Sequence, residues 1–84
     1  MKGELLRKRY FLIVINERSF QLNKMEADLR NSFNVKFRFI NLPYVIFLTD
    51  QFQKSYVSEY ISRHYPEVSI ISVSGTMKKL KSMI

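Results

Sequence analysis

Residues 34–49 read Asn34-Val35-Lys36-Phe37-Arg38-Phe39-Ile40-Asn41-Leu42-Pro43-Tyr44-Val45-Ile46-Phe47-Leu48-Thr49, and the way they divide decides the fold. In the first half, apolar and basic side chains alternate. Val35, Phe37 and Phe39 point one way and Lys36 and Arg38 the other, as a half-exposed strand requires. In the second half, Tyr44 to Thr49 is a continuous β-branched and aromatic run, which reads as a strand buried within a sheet. Asn41-Leu42-Pro43 between them is turn chemistry, so the two strands form a hairpin.

Upstream, Arg9 to Asn16 contains a second such run, Tyr10-Phe11-Leu12-Ile13-Val14-Ile15, too short for a free-standing helix and typical of a central strand. Asn16-Glu17-Arg18-Ser19 breaks it. Leu22, Met25, Leu29 and Phe33 then recur at spacings of three and four, which places them on one face of a helix. Ser19 or Asn23 can cap that helix, and Glu26 three residues after Asn23 favours the later start. Downstream of the hairpin, Asp50 reads as an N-cap with Gln53 three residues on. Phe52, Tyr56, Val57, Tyr60, Ile61 and Tyr65 supply the apolar face of a second helix, and Pro66 ends it. Glu67 to Ser74, with Val68, Ile70, Ile71 and Val73, is the last strand, and Gly75 closes it.

The order strand, helix, strand, strand, helix, strand predicts a βαββαβ ferredoxin-like sandwich. Its four-stranded antiparallel sheet, in the order 4-1-3-2, carries both helices on one face. The two continuous apolar runs then fall in the centre, and the strand bearing Lys36 and Arg38 falls at an edge, where charge discourages edge-to-edge association. Eighty-four residues make one domain, residues 1–84, since a second core would need more chain. A basic segment (1–9) and a basic tail (76–84) flank it. The tail, with Met77, Leu80, Met83 and Ile84 among its lysines, reads as a frayed end or as a short amphipathic helix that folds onto RNA or a partner; a membrane surface is the third use, for which one short segment is a weak anchor.

Fourteen Lys and Arg against seven acidic residues give a net charge of +7, and the excess lies at the two ends. Arg7, Lys8, Arg9, Lys78, Lys79 and Lys81, with Lys36 and Arg38 on the edge strand, are the candidate RNA-binding residues. Clusters of this kind release condensed counterions when they neutralise phosphates. If Phe37 and Phe39 face the helices, Lys36 and Arg38 lie on the open sheet face. Beside them lie either Tyr10, Leu12 and Val14 or Phe11, Ile13 and Ile15. Tyr10 and Tyr44 are candidates for base stacking or for a protein interface. Three uses of these aromatics stay open: stacking of bases, a dimer through the open face, and plain core filling. The RNA-recognition motif shares the topology, but its glycine-containing third-strand signature is absent here, where the strand reads Tyr44-Val45-Ile46-Phe47-Leu48-Thr49.

Catalysis finds no constellation. No cysteine is present and His64 is the single histidine, so neither a thiol nucleophile nor a histidine-based metal centre can be assembled. Ser69, Ser72 and Ser74 lie in an apparent strand with no nucleophile elbow. Asn16 stands directly after the first strand, where small CRISPR-associated nucleases of similar fold carry an aspartate. Two glycines leave no phosphate-cradling loop. No apolar run approaches the roughly 20 residues of a membrane span, and the amino end does not read as a signal peptide. The expectation is a non-catalytic cytoplasmic binding protein with no cofactor, no metal, no small-molecule substrate and no membrane partner.

Richness in Lys, Asn, Phe, Ile and Tyr, scarcity of Gly and Pro, and absence of Cys and Trp resemble the small basic early proteins of T-even-type bacteriophages. That resemblance implies a host-cytoplasmic inhibitor of a host endoribonuclease toxin. The basic residues would hold RNA, and the exposed sheet face would meet the target protein.

Overall fold

The computed structural model describes residues 8–84, so Arg7 and the rest of the basic segment before Lys8 lie outside the described residues. The elements are β1 (Lys8–Ile15), α1 (Leu22–Ser32), β2 (Lys36–Asn41), β3 (Tyr44–Asp50), α2 (Lys54–His64), β4 (Val68–Ser74) and α3 (Met77–Lys81). The architecture is α+β, with one antiparallel sheet in the order β2-β3-β1-β4. β1 and β3, the two continuous apolar runs, are its centre. Among the described residues no helix is long and apolar enough to cross a membrane.

Strand alternation divides the side chains between two cores. The larger core gathers Phe11 and Ile13 of β1, Val45 and Phe47 of β3, Met25 and Leu29 of α1, and Val57 and Ile61 of α2, all fully buried. Both long helices therefore cover the same sheet face. Phe47 stacks between Phe11 (centroids 4.9 Å apart) and Phe37 (5.7 Å), which ties three adjacent strands together through their rings. Such pairs add about 0.5–1.5 kcal/mol each beyond the area they bury. The alternation also settles which residues of β1 look away from α1 and α2: these are Tyr10, Leu12 and Val14.

That second face is not open. The smaller core is Leu12, Ile46 and Leu80, with Tyr10, Phe39, Tyr44 and Met77 packed against it. The expected two-helix layer thus gains a third helix on the opposite side. Part of the presumed tail folds as α3, because Leu80 finds two apolar side chains of the central strands to bury against and is left with no exposed surface.

Strand β2 departs from strict alternation. Phe37 pairs with Phe47 and Phe39 with Ile46, which leaves Arg38 as an unpaired bulge residue. One extra residue moves every later side chain to the other face. Phe37 therefore joins the α1/α2 core while Phe39 joins the α3 core, in place of the common orientation expected for them. Lys36, opposite Leu48, does lie on the α3 side, whereas Arg38 has no place in the ladder. A second irregularity in β4 sets Ile71 apart, half exposed, between partners of Leu12 and Ile13.

The helix starts differ from the capping pattern. Helix α1 follows Gln21, and neither Ser19 nor Asn23 caps it; α2 follows Gln53 rather than Asp50, and neither N-cap makes a side-chain bond. Asp50 Oδ1 accepts instead from the Gln53 N–H at 3.0 Å, stabilising the turn before the helix. Phe52 and Tyr56, expected on the buried face of α2, are largely exposed.

Asp28 fastens the two long helices together. Its carboxylate accepts hydrogen bonds from the hydroxyls of Tyr60 (2.7 Å) and Tyr65 and from that of Ser32. Phe33 meets Tyr60 edge-on and Phe20 meets Tyr65 likewise. His64, at the last turn of α2, lies with its ring 4.3 Å from that of Tyr60, a packing position.

Candidate nucleic-acid interface

The charge of the described residues is not spread evenly. On the helical layer opposite signs accompany one another: Arg30 pairs with Glu26 at 4.0 Å and Arg63 with Glu59 at 3.3 Å, each one helical turn apart. Helix α3 carries Lys78, Lys79 and Lys81 and no acid. Exposed helical pairs contribute only about 0.3–0.5 kcal/mol to stability, but they cancel the local field. The uncompensated field lies elsewhere.

Besides α3, unbalanced positive charge gathers at a recess of about 240 Å³ at the start of β1 and β2, lined by Lys8, Asn34, Lys36, Arg38, Leu48, Thr49 and Asp50. Pairing of both β1 and β2 with β3 produces this meeting. Lys8 stands opposite Asp50 in the β1–β3 ladder, and Lys36 stands opposite Leu48 in the β2–β3 ladder. Two strands distant in sequence thereby set their basic ends on either side of β3, and the bulge adds Arg38. Three cations face one carboxylate, and that carboxylate already accepts from the Gln53 amide. A concave site with this imbalance attracts an anion.

From the recess the basic character continues down the same sheet face. Phe39 stands on the α3 side opposite Ile46, two residues along β3 from the partner of Lys36, or about 7 Å at the usual strand rise. Over its ring, 4.7 Å from the centroid, lies the Lys81 ammonium. Lys78 and Lys79 are exposed on α3.

Of the candidate RNA-binding residues, the structure brings Lys8, Lys36 and Arg38 together and sets Lys81 beside the same face. Arg9 turns away. Its guanidinium donates to the Lys8 carbonyl at 3.0 Å and comes so near Gly75 that a Cβ there would meet it at 3.4 Å. Tyr10 and Tyr44 are partly buried against the α3 core rather than presented to a ligand. Among the described residues, no cluster of three or more His, Asp or Glu groups is placed to hold a metal ion. Sequence reasoning passed over Asn34, Asp50 and Thr49 as walls of the recess. Their place follows from the β1–β3 register, which sets Asp50 opposite Lys8 and which no local pattern of the sequence discloses.

No protein-family model, curated protein or solved structure matches this chain.

Proposed function

We propose that this chain is a ferredoxin-like, non-catalytic RNA-binding protein that holds phosphates on the Lys8, Lys36 and Arg38 recess and on α3. The fold reading rests on the strand order, which is 4-1-3-2 when counted from the β4 edge, and on the packing of α1 and α2 against one sheet face. The functional reading rests on one observation: three cations from two strands share a recess with a single, already hydrogen-bonded carboxylate. Phosphate contacts of this type supply affinity with little sequence preference.

The resemblance to T-even-type early proteins supports the host cytoplasm as the setting and a host endoribonuclease toxin as the protein target. A face-to-face dimer, the other reading of the apolar sheet, would require α3 to leave Leu12 and Ile46.

The test is fluorescence anisotropy of a labelled single-stranded RNA across a salt series, with the wild-type protein and the Lys36→Glu/Arg38→Glu double variant. Binding that weakens linearly in log salt, with a slope of about 0.7 per phosphate contacted, and that drops sharply in the variant supports the reading. Salt-independent binding, or equal binding by the variant, overturns it.

A further inference from the structure

Every Phe and Tyr but two is buried in, or packed against, one of the two cores. The two are Phe52 and Tyr56, which keep 68% and 66% of their surface exposed. Folding explains the other rings and leaves these unexplained. Phe52 lies beside the basic recess, and Tyr56 follows it by four residues, in the first turn of α2. Asp50 is a wall of that recess, and Phe52 follows it by two residues, so their Cα atoms are at most about 7.6 Å apart.

The turn that carries Phe52 is held rigidly to the recess. The Gln53 amide donates to Asp50 Oδ1 at 3.0 Å, and Gln53 Oε1 accepts from the Asn34 amide at 2.6 Å. Asn34 and Asp50 both line the recess. The position of the Phe52 backbone is therefore set before any ligand arrives, which lowers the entropy lost on binding. Lys54 stands between the two rings in sequence and is exposed, so the segment alternates aromatic, cation, aromatic.

Resting on the RNA-binding reading and extending it, we propose that Phe52 and Tyr56 are a base-stacking platform, and that the ligand is single-stranded nucleic acid whose phosphates occupy the Lys8, Lys36 and Arg38 recess. The chemistry selects the strandedness. In a duplex the base faces are covered by their neighbours, whereas unpaired bases offer them to aromatic rings while the backbone is held by Lys and Arg. The charge beside the rings selects a polyanion over an apolar protein surface.

The test compares wild type with Phe52→Ala, Tyr56→Ala, Phe52→Leu and Phe52→Tyr, using a single-stranded oligouridylate and a fully paired RNA of equal length. Both alanine variants should bind the single strand about 5- to 150-fold more weakly, with an unchanged salt slope and unchanged melting temperature. Their binding to the duplex should equal that of wild type. Phe52→Tyr should restore affinity and Phe52→Leu should not, since leucine keeps apolar area and lacks a π-face. If wild type binds with a normal salt slope and the alanine variants match it, the platform falls and the recess stands. Full activity of Phe52→Leu, or equal losses on duplex and single strand, also overturns stacking. If wild type binds neither RNA, the platform and the RNA-binding reading fall together.

Discussion

The ammonium of Lys81 lies 4.7 Å from the centroid of the Phe39 ring. That contact joins the last helix to an edge strand across a sheet face that strand alternation alone would have left uncovered. It exists because the Arg38 bulge turns Phe39 toward α3 and because Leu80 anchors the helix on Leu12 and Ile46.

The two parts of this anchorage should separate in energy. Leu80→Ala should destabilise the protein by about 2–5 kcal/mol and accelerate amide exchange through residues 77–82. Lys81→Ala should remove no more than about 1 kcal/mol, the scale of an exposed cation–π contact. Urea denaturation measures both. Equal midpoints for Leu80→Ala and wild type would mean that α3 does not hold the sheet.

The Phe11, Phe47 and Phe37 stack should be the most sensitive point of the larger core. Phe47 is fully buried and touches rings on both neighbouring strands, so Phe47→Ala should lose about 3–5 kcal/mol. That is a large share of the 5–15 kcal/mol typical of a folded domain. Phe37 is only partly buried, and Phe37→Ala should cost less. Circular dichroism melts of the two variants give the ranking.

Stability should fall at both ends of the pH range through Asp28. Hydrogen bonds from Tyr65 and Tyr60 hold its carboxyl below the usual carboxylate range. The folded state therefore binds this proton more weakly than the unfolded chain. The resulting stability is present above the unfolded value of about 4 and is lost as pH falls through the lower folded value. Burial together with the Asp28 hydrogen bond raises Tyr65, and the Asp28 hydrogen bond raises Tyr60. Their contribution is full below the ordinary tyrosine value of about 10 and disappears as pH rises beyond it. Asp28→Asn should flatten the acid limb of a melting-temperature profile. An unchanged acid limb would remove Asp28 from the explanation.

Charge reversal should grade by position. Lys78→Glu with Lys79→Glu should weaken RNA binding and lower the salt slope by about 0.7 per contact removed. Lys24→Glu, on the balanced α1 surface, should change neither appreciably. A uniform loss at all three positions would indicate net charge alone rather than a defined surface.

Much of the fold was legible because its signals are local. Period-two alternation and continuous apolar runs located the strands. Met25 and Leu29 marked the buried stripe of α1, and Val57 and Ile61 that of α2. The capping pattern misplaced both helix starts, since a side chain able to cap has no obligation to do so when the neighbouring turn is held by other bonds. Phe52 and Tyr56 fit the apolar periodicity of α2 yet stand outside it. Periodicity reports which residues could share a face, while the width of the facing layer decides how many of them are covered.

The sequence by itself determined the order of the elements, the central place of Tyr10 to Ile15 and Tyr44 to Leu48, and the excess of positive charge, because each follows from composition over a few neighbouring residues. The tertiary structure alone decided that Tyr10, Leu12 and Val14 face away from α1 and α2, and that Arg38 bulges and sends Phe39 to the other face. It also decided that Leu80 draws the basic tail onto that face, and that Lys8, Lys36 and Arg38 meet around Asp50. These depend on pairing between segments far apart in the chain, where a single residue of register exchanges inside for outside.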